Sequence, residues 1–319
     1  TANNSIGVGG VCWNCSLIIA KAYQANDVFI AQRINALVHG VNRGSQVVNM
    51  SWGREHYLIE NFGTGKNYCS NLNPNPGSDS FCDAIDLANR RDLILVAASG
   101  NENDQNRIDF PASEPTVVAV GATNSAGRVW FNSDGDPPAH IQHGSSLGKL
   151  ANNAARDYIG ADLVAPGARI VSTFYTGGLW GQSLITCNDN TGDASYDECT
   201  GTSMAAPHAA GSLALIRSIN PLSSAASIAS LVKSTGANVP YPASFGRPGN
   251  FKMPSLLAAV NQAIANGYTW PAFAMVTSTG QWNRFTTAAP QMARAAIAGT
   301  MLPTLVSPFS PVYYVPDPN

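Results

Sequence analysis

Residues 198–211 read ECTGTSMAAPHAAG, and Ser203 is the residue in them with a reactive side chain in a telling place. It follows Gly-Thr, precedes small residues and Pro207, and opens a long apolar run, which puts its hydroxyl at the start of a helix. Two uses fit that position. In one, G-T-S is an ordinary helix cap. In the other, Ser203 is a nucleophile whose own N–H points at a developing oxyanion, while Gly201 permits a tight turn and close approach of a substrate backbone. A serine hydroxyl is weak until a base takes its proton, so the second use demands a partner. Asn101, just after Gly100 in SGNEN, carries an amide that can either donate to such an oxyanion or hold a turn.

These residues need a scaffold, and the chain shows one. Residues 16–23, 46–52, 92–99 and 116–123 are short, nearly continuous apolar runs, as expected of parallel strands buried on both faces. Between the first two, Val28, Ile30, Ile34, Leu37, Val38 and Val41 recur at helical spacing, with Asn26 or Asp27 as a cap. CDAIDLANRR is a second helix, and three more follow Ser203, in AAPHAAGSLALIRSI, SSAASIASLVKST and MPSLLAAVNQAIA. Strand and helix in alternation predict an α/β fold with three layers, a mostly parallel sheet with helices on both faces. In such sheets, ligands sit at the carboxyl ends of the strands, where Ser203 and Asn101 are expected.

Residues 55–80 and 174–200 are rich in Gly, Asn, Asp or Thr and read as surface loops. Residues 133–157 form a third irregular stretch. Residues 1–267 are expected to form the main domain and 268–319 a proline-rich extension, linker or tail, with a short helix over 291–302.

The net charge of −2 offers no basic field for nucleic acid, and no apolar run reaches the roughly 20 residues of a membrane span. The six cysteines fall into local pairs: Cys12 with Cys15, Cys69 with Cys82, Cys187 with Cys199. The C-x-x-C spacing of the first also suits a zinc half-site or a redox motif, but the other four are too scattered to complete a zinc site plainly. Disulfides in a secreted or extracytoplasmic protein are the expectation. Thr1 is neither an initiator Met nor the start of a signal peptide, so the chain reads as a mature protein or a fragment.

GTSMAAPHAAG resembles the nucleophile segment of the subtilisin-like serine peptidases, and further segments resemble that family in the same order. ANNSIGVGGV is similar to the loop after its histidine helix, VVNMSWG to its substrate-pairing strand, and LVAASGNEN to the strand ending in its oxyanion asparagine. DFPASEPTVVAVGAT and LVAPGARIVST fit the strand and loop beyond. The resemblance covers about residues 2–266. It implies a serine endopeptidase with Ser203 as the acylated nucleophile and Asn101 as oxyanion donor. Ser51, Trp52 and Gly53 would pair with the substrate main chain, and Ala98, Ser99 and Gly100 would line the pocket for the side chain before the scissile bond. Trp52 is bulky there, and would either narrow a subsite or pack against residues 55–80. The serine-carboxyl peptidases share the fold but place an aspartate where Asn101 stands. A polypeptide substrate is implied, and no cofactor for catalysis. The NNSIGV loop resembles a structural calcium loop in which Ala2, Asn4, Ile6 and Val8 would supply oxygen ligands.

The family's base is a histidine in an H-G-T-H-V-A type helix, oriented by an aspartate in a D-T-G or D-S-G strand end, and this chain contains neither motif. His208 lies five residues after Ser203, about 140° around the same helix, where the family has a structural residue. His39, in the amphipathic helix, is expected to be partly exposed. His56, His140 and His143 fall in irregular segments. Three readings follow: a truncated form of an active endopeptidase whose Asp and His lie upstream of Thr1, a non-catalytic peptide-binding relative, or one half of a split enzyme. Retention of the GTSMA and SGN segments favours the first, with the 319-residue chain by itself inactive.

Overall fold

The computed structural model describes residues 8–12, 15–20, 22, 30–53, 69, 80–104, 108–131, 144–148, 160–173, 187–188, 195–241, 243, 249–266, 273–276, 282–285 and 305–306. Its centre is a parallel sheet of four strands, β1 (Val47–Met50), β2 (Ile94–Ala98), β3 (Val117–Thr123) and β4 (Leu163–Pro166), in that spatial order. Met50 faces Ala97, Ala98 faces Val120, and Thr123 faces Pro166 across the ladders.

The apolar runs of β2 and β3 serve two cores at once, because alternate side chains leave a strand on opposite faces. Ile94, Val96 and Ala98, with Val118, Val120 and Ala122, pack on α3 (Thr202–Ile219), α4 (Ala225–Thr235) and α5 (Leu256–Ala265). Leu95 and Ala97, with Val117 and Ala119, pack on α1 (Ile30–Asn42) and α2 (Ser80–Arg90). In α2 the buried residues are Phe81, Ala84, Ile85 and Ala88, the i, i+3, i+4, i+7 stripe of an amphipathic helix. Layering is therefore helix, sheet, helix, as the alternation of runs predicts.

Asp92 ties the two halves of one face together. It sits just before β2 at φ 56, and its carboxylate accepts from Arg217 Nη2 of α3 at 2.9 Å and from the Ala225 N–H that starts α4 at 2.8 Å. Arg217 is buried and also donates to the Ser223 carbonyl at 2.7 Å.

Three departures from the sequence expectations stand out. Residues 16–20 join no strand among the described residues, and Leu17, Ile18 and Ile19 are exposed. An apolar run becomes a strand only where a neighbour completes its ladder, and none does so here. Within 174–200, β6 (Cys187–Asn188) and β7 (Tyr196–Cys199) pair antiparallel, and β7 pairs in turn with β5 (Ile170–Thr173), so part of that loop is a small sheet. Beyond β8 (Ala237–Pro240) and β9 (Asn250–Met253), the segment expected as linker or tail carries β10 (Phe273–Val276), β11 (Trp282–Phe285) and β12 (Leu305–Val306) in one antiparallel sheet. Their residues favour strands on composition, although the surrounding prolines mask it. The helix expected over 291–302 lies outside the described residues.

The structure joins Cys12 to Cys15, Cys69 to Cys82 and Cys187 to Cys199. The last links facing residues of β6 and β7. Among the described residues no helix is long and apolar enough to cross a membrane.

Candidate active site

Ser203 lies in the first turn of α3, at the carboxyl edge of the sheet, and the ends of β1, β2 and β4 converge on it. Pro207 explains how β1 is attached. A proline inside a helix has no N–H, so the carbonyl four residues before it loses its intrahelical partner. That carbonyl belongs to Ser203, and the Ser51 hydroxyl donates to it at 2.7 Å. In return the Ser203 hydroxyl donates to the Ser51 carbonyl at 3.2 Å. The two serines clasp each other, and the residues beyond β1 are fixed against the start of α3.

The end of β2 is attached through Asn101. Gly201, the residue before α3, has no side chain to cap the helix. Asn101 caps it from across the cleft, its Oδ1 accepting from the Thr202 N–H at 2.9 Å and from the Thr202 hydroxyl at 3.0 Å. A Cβ on Gly201 would lie 3.4 Å from Asn101 Nδ2 and 3.5 Å from Oδ1, so the whole amide packs against that glycine. Gly201 has φ 156, outside the range comfortable for other residues. Among the described residues neither the Ser203 N–H nor Asn101 Nδ2 has an acceptor. Both groups belong to residues at the N-terminus of α3, where donors without acceptors can stabilise an anion.

The end of β4 supplies the third support. The Gly167 carbonyl accepts from the Gly201 N–H at 2.8 Å, and its own N–H donates to the Thr123 carbonyl at 3.0 Å. A Cβ on Gly167 would meet Ala122 Cβ at 2.6 Å and the Gly201 carbonyl at 2.7 Å, so only glycine lets the chain pass so close.

The expected pocket residues are placed as follows. Ala98, Ser99 and Gly100 are buried at the end of β2, and among the described residues the Ser99 hydroxyl has no hydrogen-bond partner. Ser51, Trp52 and Gly53 are half-buried. Residues 54–68 and 70–79, against which Trp52 is expected to pack as one alternative, lie outside the described residues. The Trp52 ring packs edge-on to Phe81 of α2, with ring centres 5.4 Å apart, and the Arg33 guanidinium of α1 lies 4.5 Å over its face. Its size is absorbed by the α1/α2 core, leaving the main chain of 51–53 at the cleft.

No base reaches Ser203 among the described residues. His208, further along α3, donates from Nδ1 to the Met204 carbonyl at 2.8 Å, and His39 is exposed on α1. His56, His140 and His143 lie outside the described residues. So do Ala2, Asn4 and Ile6 of the expected calcium loop, of which only Val8 is described. Cys187, Asp197 and Cys199 come close together, but the two sulfurs are joined and are not thiolate ligands.

Thr202 and Pro207 are the site residues that sequence reading passed over. A hydroxyl directly before Ser203, and a proline four residues after it, were the available signals.

The family model of the subtilases, peptidase S8, matches residues 1–289, and the chain belongs to that family. It is similar to subtilisin DY of Bacillus licheniformis, 29% identical over 246 residues that cover 74% of this chain and 66% of that protein. Alkaline elastase YaB of Bacillus sp. (strain YaB) is 29% identical over 249 residues, covering 76% of this chain and 49% of that one. The chain thus spans from half to two thirds of the length of these two relatives. Among solved structures, the fold is shared with proteases from Pseudoalteromonas arctica, at TM-score 0.56 and 22% identity over 82% of this chain and 67% of that one. It is shared also with the patellamide maturation protease PatA, at TM-score 0.55 and 18% identity over 83% and 80%.

Proposed function

We propose that this chain carries the nucleophile and oxyanion half of a secreted serine endopeptidase, with the activating histidine and aspartate supplied from outside the described residues. The observation that supports the reading is that Asn101 is bound through Oδ1 to Thr202, the residue before Ser203, while Ser203 N–H and Asn101 Nδ2 have no acceptor among the described residues. A peptide-binding module has no use for two such donors at a serine, whereas acyl transfer needs them.

The chemistry follows from the geometry. An extended peptide lies along residues 51–53 and is recognised by its main chain. The Ser51 carbonyl, which accepts from the Ser203 hydroxyl, can accept a substrate N–H instead, and the exchange releases Ser203. A base takes the hydroxyl proton as Oγ attacks the scissile carbonyl, and the oxygen that becomes negative is met by Ser203 N–H and Asn101 Nδ2. Collapse returns the proton to the leaving amine and leaves an ester on Ser203, which water then hydrolyses. The three disulfides suit an oxidising compartment and support secretion.

The test expresses residues 1–319 alone and joined to an upstream segment bearing D-T-G and H-G-T-H motifs, in one chain or as two. A serine-directed phosphonate should label Ser203 in the joined form and leave the shorter one unmodified. Loss of the serine or histidine in subtilisin, the family's reference case, lowers kcat about 10⁶-fold, so the contrast should be large. Equal labelling of both forms would place a base within these 319 residues and overturn the assignment.

A further inference from the structure

Cys187 and Cys199 face each other across β6 and β7, and Asp197 lies two residues before Cys199 on β7. Residues two apart on a strand, and residues directly opposite on its neighbour, share one face of the sheet. The three side chains therefore meet: a carboxylate oxygen of Asp197 and the two sulfurs all lie within 4.8 Å of one another. Among the described residues no other disulfide has an acid or imidazole gathered with both of its sulfurs in this way.

Asp197 is 9% exposed, and among the described residues its carboxylate accepts from one group, the N–H of the adjacent Glu198 at 2.7 Å. A buried acid with no cation beside it is costly to keep, which argues for a use beyond packing. The two cysteines are held unequally. Cys199 is buried, in a strand paired to β5 over four positions. Cys187 is half-buried and belongs to a strand of two residues. A thiol arriving from solvent reaches Cys187, and Cys199 is the sulfur that leaves.

We infer that Cys187–Cys199 is a thiol–disulfide exchange site that takes a dithiol as its reductant, with Cys187 attacked, Cys199 resolving and Asp197 carrying the proton. One thiol of the dithiol attacks Cys187 Sγ and its proton passes to the Asp197 carboxylate. The new S–S bond forms as the Cys187–Cys199 bond breaks. Cys199 Sγ leaves with the bonding pair and takes that proton from Asp197. Two negative charges side by side in a buried site oppose each other, so the sulfur beside the carboxylate leaves as a thiol. The second thiol of the reductant then attacks its own partner sulfur in the mixed disulfide, and Cys187 Sγ departs with its electron pair and the second proton. Two electrons have passed to the protein, and the dithiol is released as its disulfide. Run in reverse, Asp197 takes the Cys199 proton as that sulfur attacks a mixed disulfide on Cys187.

The test uses the folded 319-residue chain, and it needs no peptidase activity. The chain is treated with dithiothreitol without denaturant, quenched with N-ethylmaleimide at intervals and read by peptide mass. Cys187 and Cys199 should be modified at least about tenfold faster than the other two pairs. Equal or faster modification of Cys12 and Cys15, or of Cys69 and Cys82, overturns the inference, as does reaction of all three pairs only on unfolding. The reduced pair is then re-oxidised with glutathione disulfide. The wild type should close with its transient adduct on Cys187. Asp197→Asn keeps an oxygen for the Glu198 N–H, yet should hold glutathione on Cys187 about 10–100-fold longer, with thermal unfolding showing the variant folded. Closure of this variant at the wild-type rate removes Asp197 as proton carrier. If Asp197→Asn does not fold, the wild-type ranking and the position of the adduct decide, and an adduct on Cys199 overturns the assignment.

Discussion

On the proposed function Asn101 has two jobs, one for each end of its amide, and substitutions can separate them. Asn101→Ala removes both. Thr202 is fully buried, and its N–H, 2.9 Å from Oδ1, would lose its acceptor. Its hydroxyl would not be stranded, because the Gly100 carbonyl is already 3.3 Å away as an alternative. One orphaned buried donor, not two, is the structural cost, about 1–3 kcal/mol. Asn101→Asp keeps an oxygen where Oδ1 now accepts and places a negative charge at the N-terminus of α3, which is favourable by a few tenths to 1 kcal/mol. It should unfold within about 1 kcal/mol of the wild type in urea, while Asn101→Ala unfolds 1–3 kcal/mol earlier. Both lose the Nδ2 donor. In the form joined to its base, both should lose turnover with KM little changed. For Asn101→Ala the loss should be about 10²–10³-fold, a magnitude taken from the equivalent donor in subtilisin. Asn101→Asp should lose more, since an anion would face the oxyanion. Urea unfolding followed by fluorescence, with kcat and KM on a peptide substrate, reads both effects. If Asn101→Asp is destabilised as much as Asn101→Ala, or if Asn101→Ala unfolds like the wild type, Oδ1 does not cap α3 and Nδ2 has no enforced orientation.

Two further substitutions probe the supports. Gly167→Ala should lower stability by about 1–3 kcal/mol in thermal or urea unfolding, since the added methyl would overlap Ala122 Cβ and the Gly201 carbonyl, and it should slow phosphonate labelling of Ser203 in the joined form by shifting Gly201. Asp92→Ala should cost about 2–4 kcal/mol by urea unfolding, because it leaves the buried Arg217 guanidinium without its anion and the first N–H of α4 without a cap; Asp92→Asn, which keeps an acceptor oxygen, should recover part of this.

The sheet was legible because β2 and β3 are buried on both faces and so are apolar at nearly every position. The run at 16–23 has the same composition, but its described residues, 16–20 and 22, form no strand, since pairing depends on a neighbour that composition does not reveal. Ser203 and Asn101 were legible from local motifs. The links between them were not: the clasp depends on a proline four residues away leaving a carbonyl free, and the cap depends on Thr202 meeting Asn101 across 101 positions of chain. Trp52 shows only bulk in the sequence, while its contacts with Phe81 and Arg33 come from helices that its neighbours in sequence do not reveal.

The alternation of β2 between two cores has a consequence for fidelity. Ile94, Val96 and Ala98 face one set of helices and Leu95 and Ala97 the other, so a slip of one residue against β1 and β3 would present each core with the wrong side chains. The same slip would carry the strand end by about 3.3 Å, enough to break the contact of Asn101 with Thr202. A misregistered molecule is thereby unstable and chemically silent together. If the proposed peptidase activity holds, the checkpoint against a half-formed but active state is written into the pleat of a single strand.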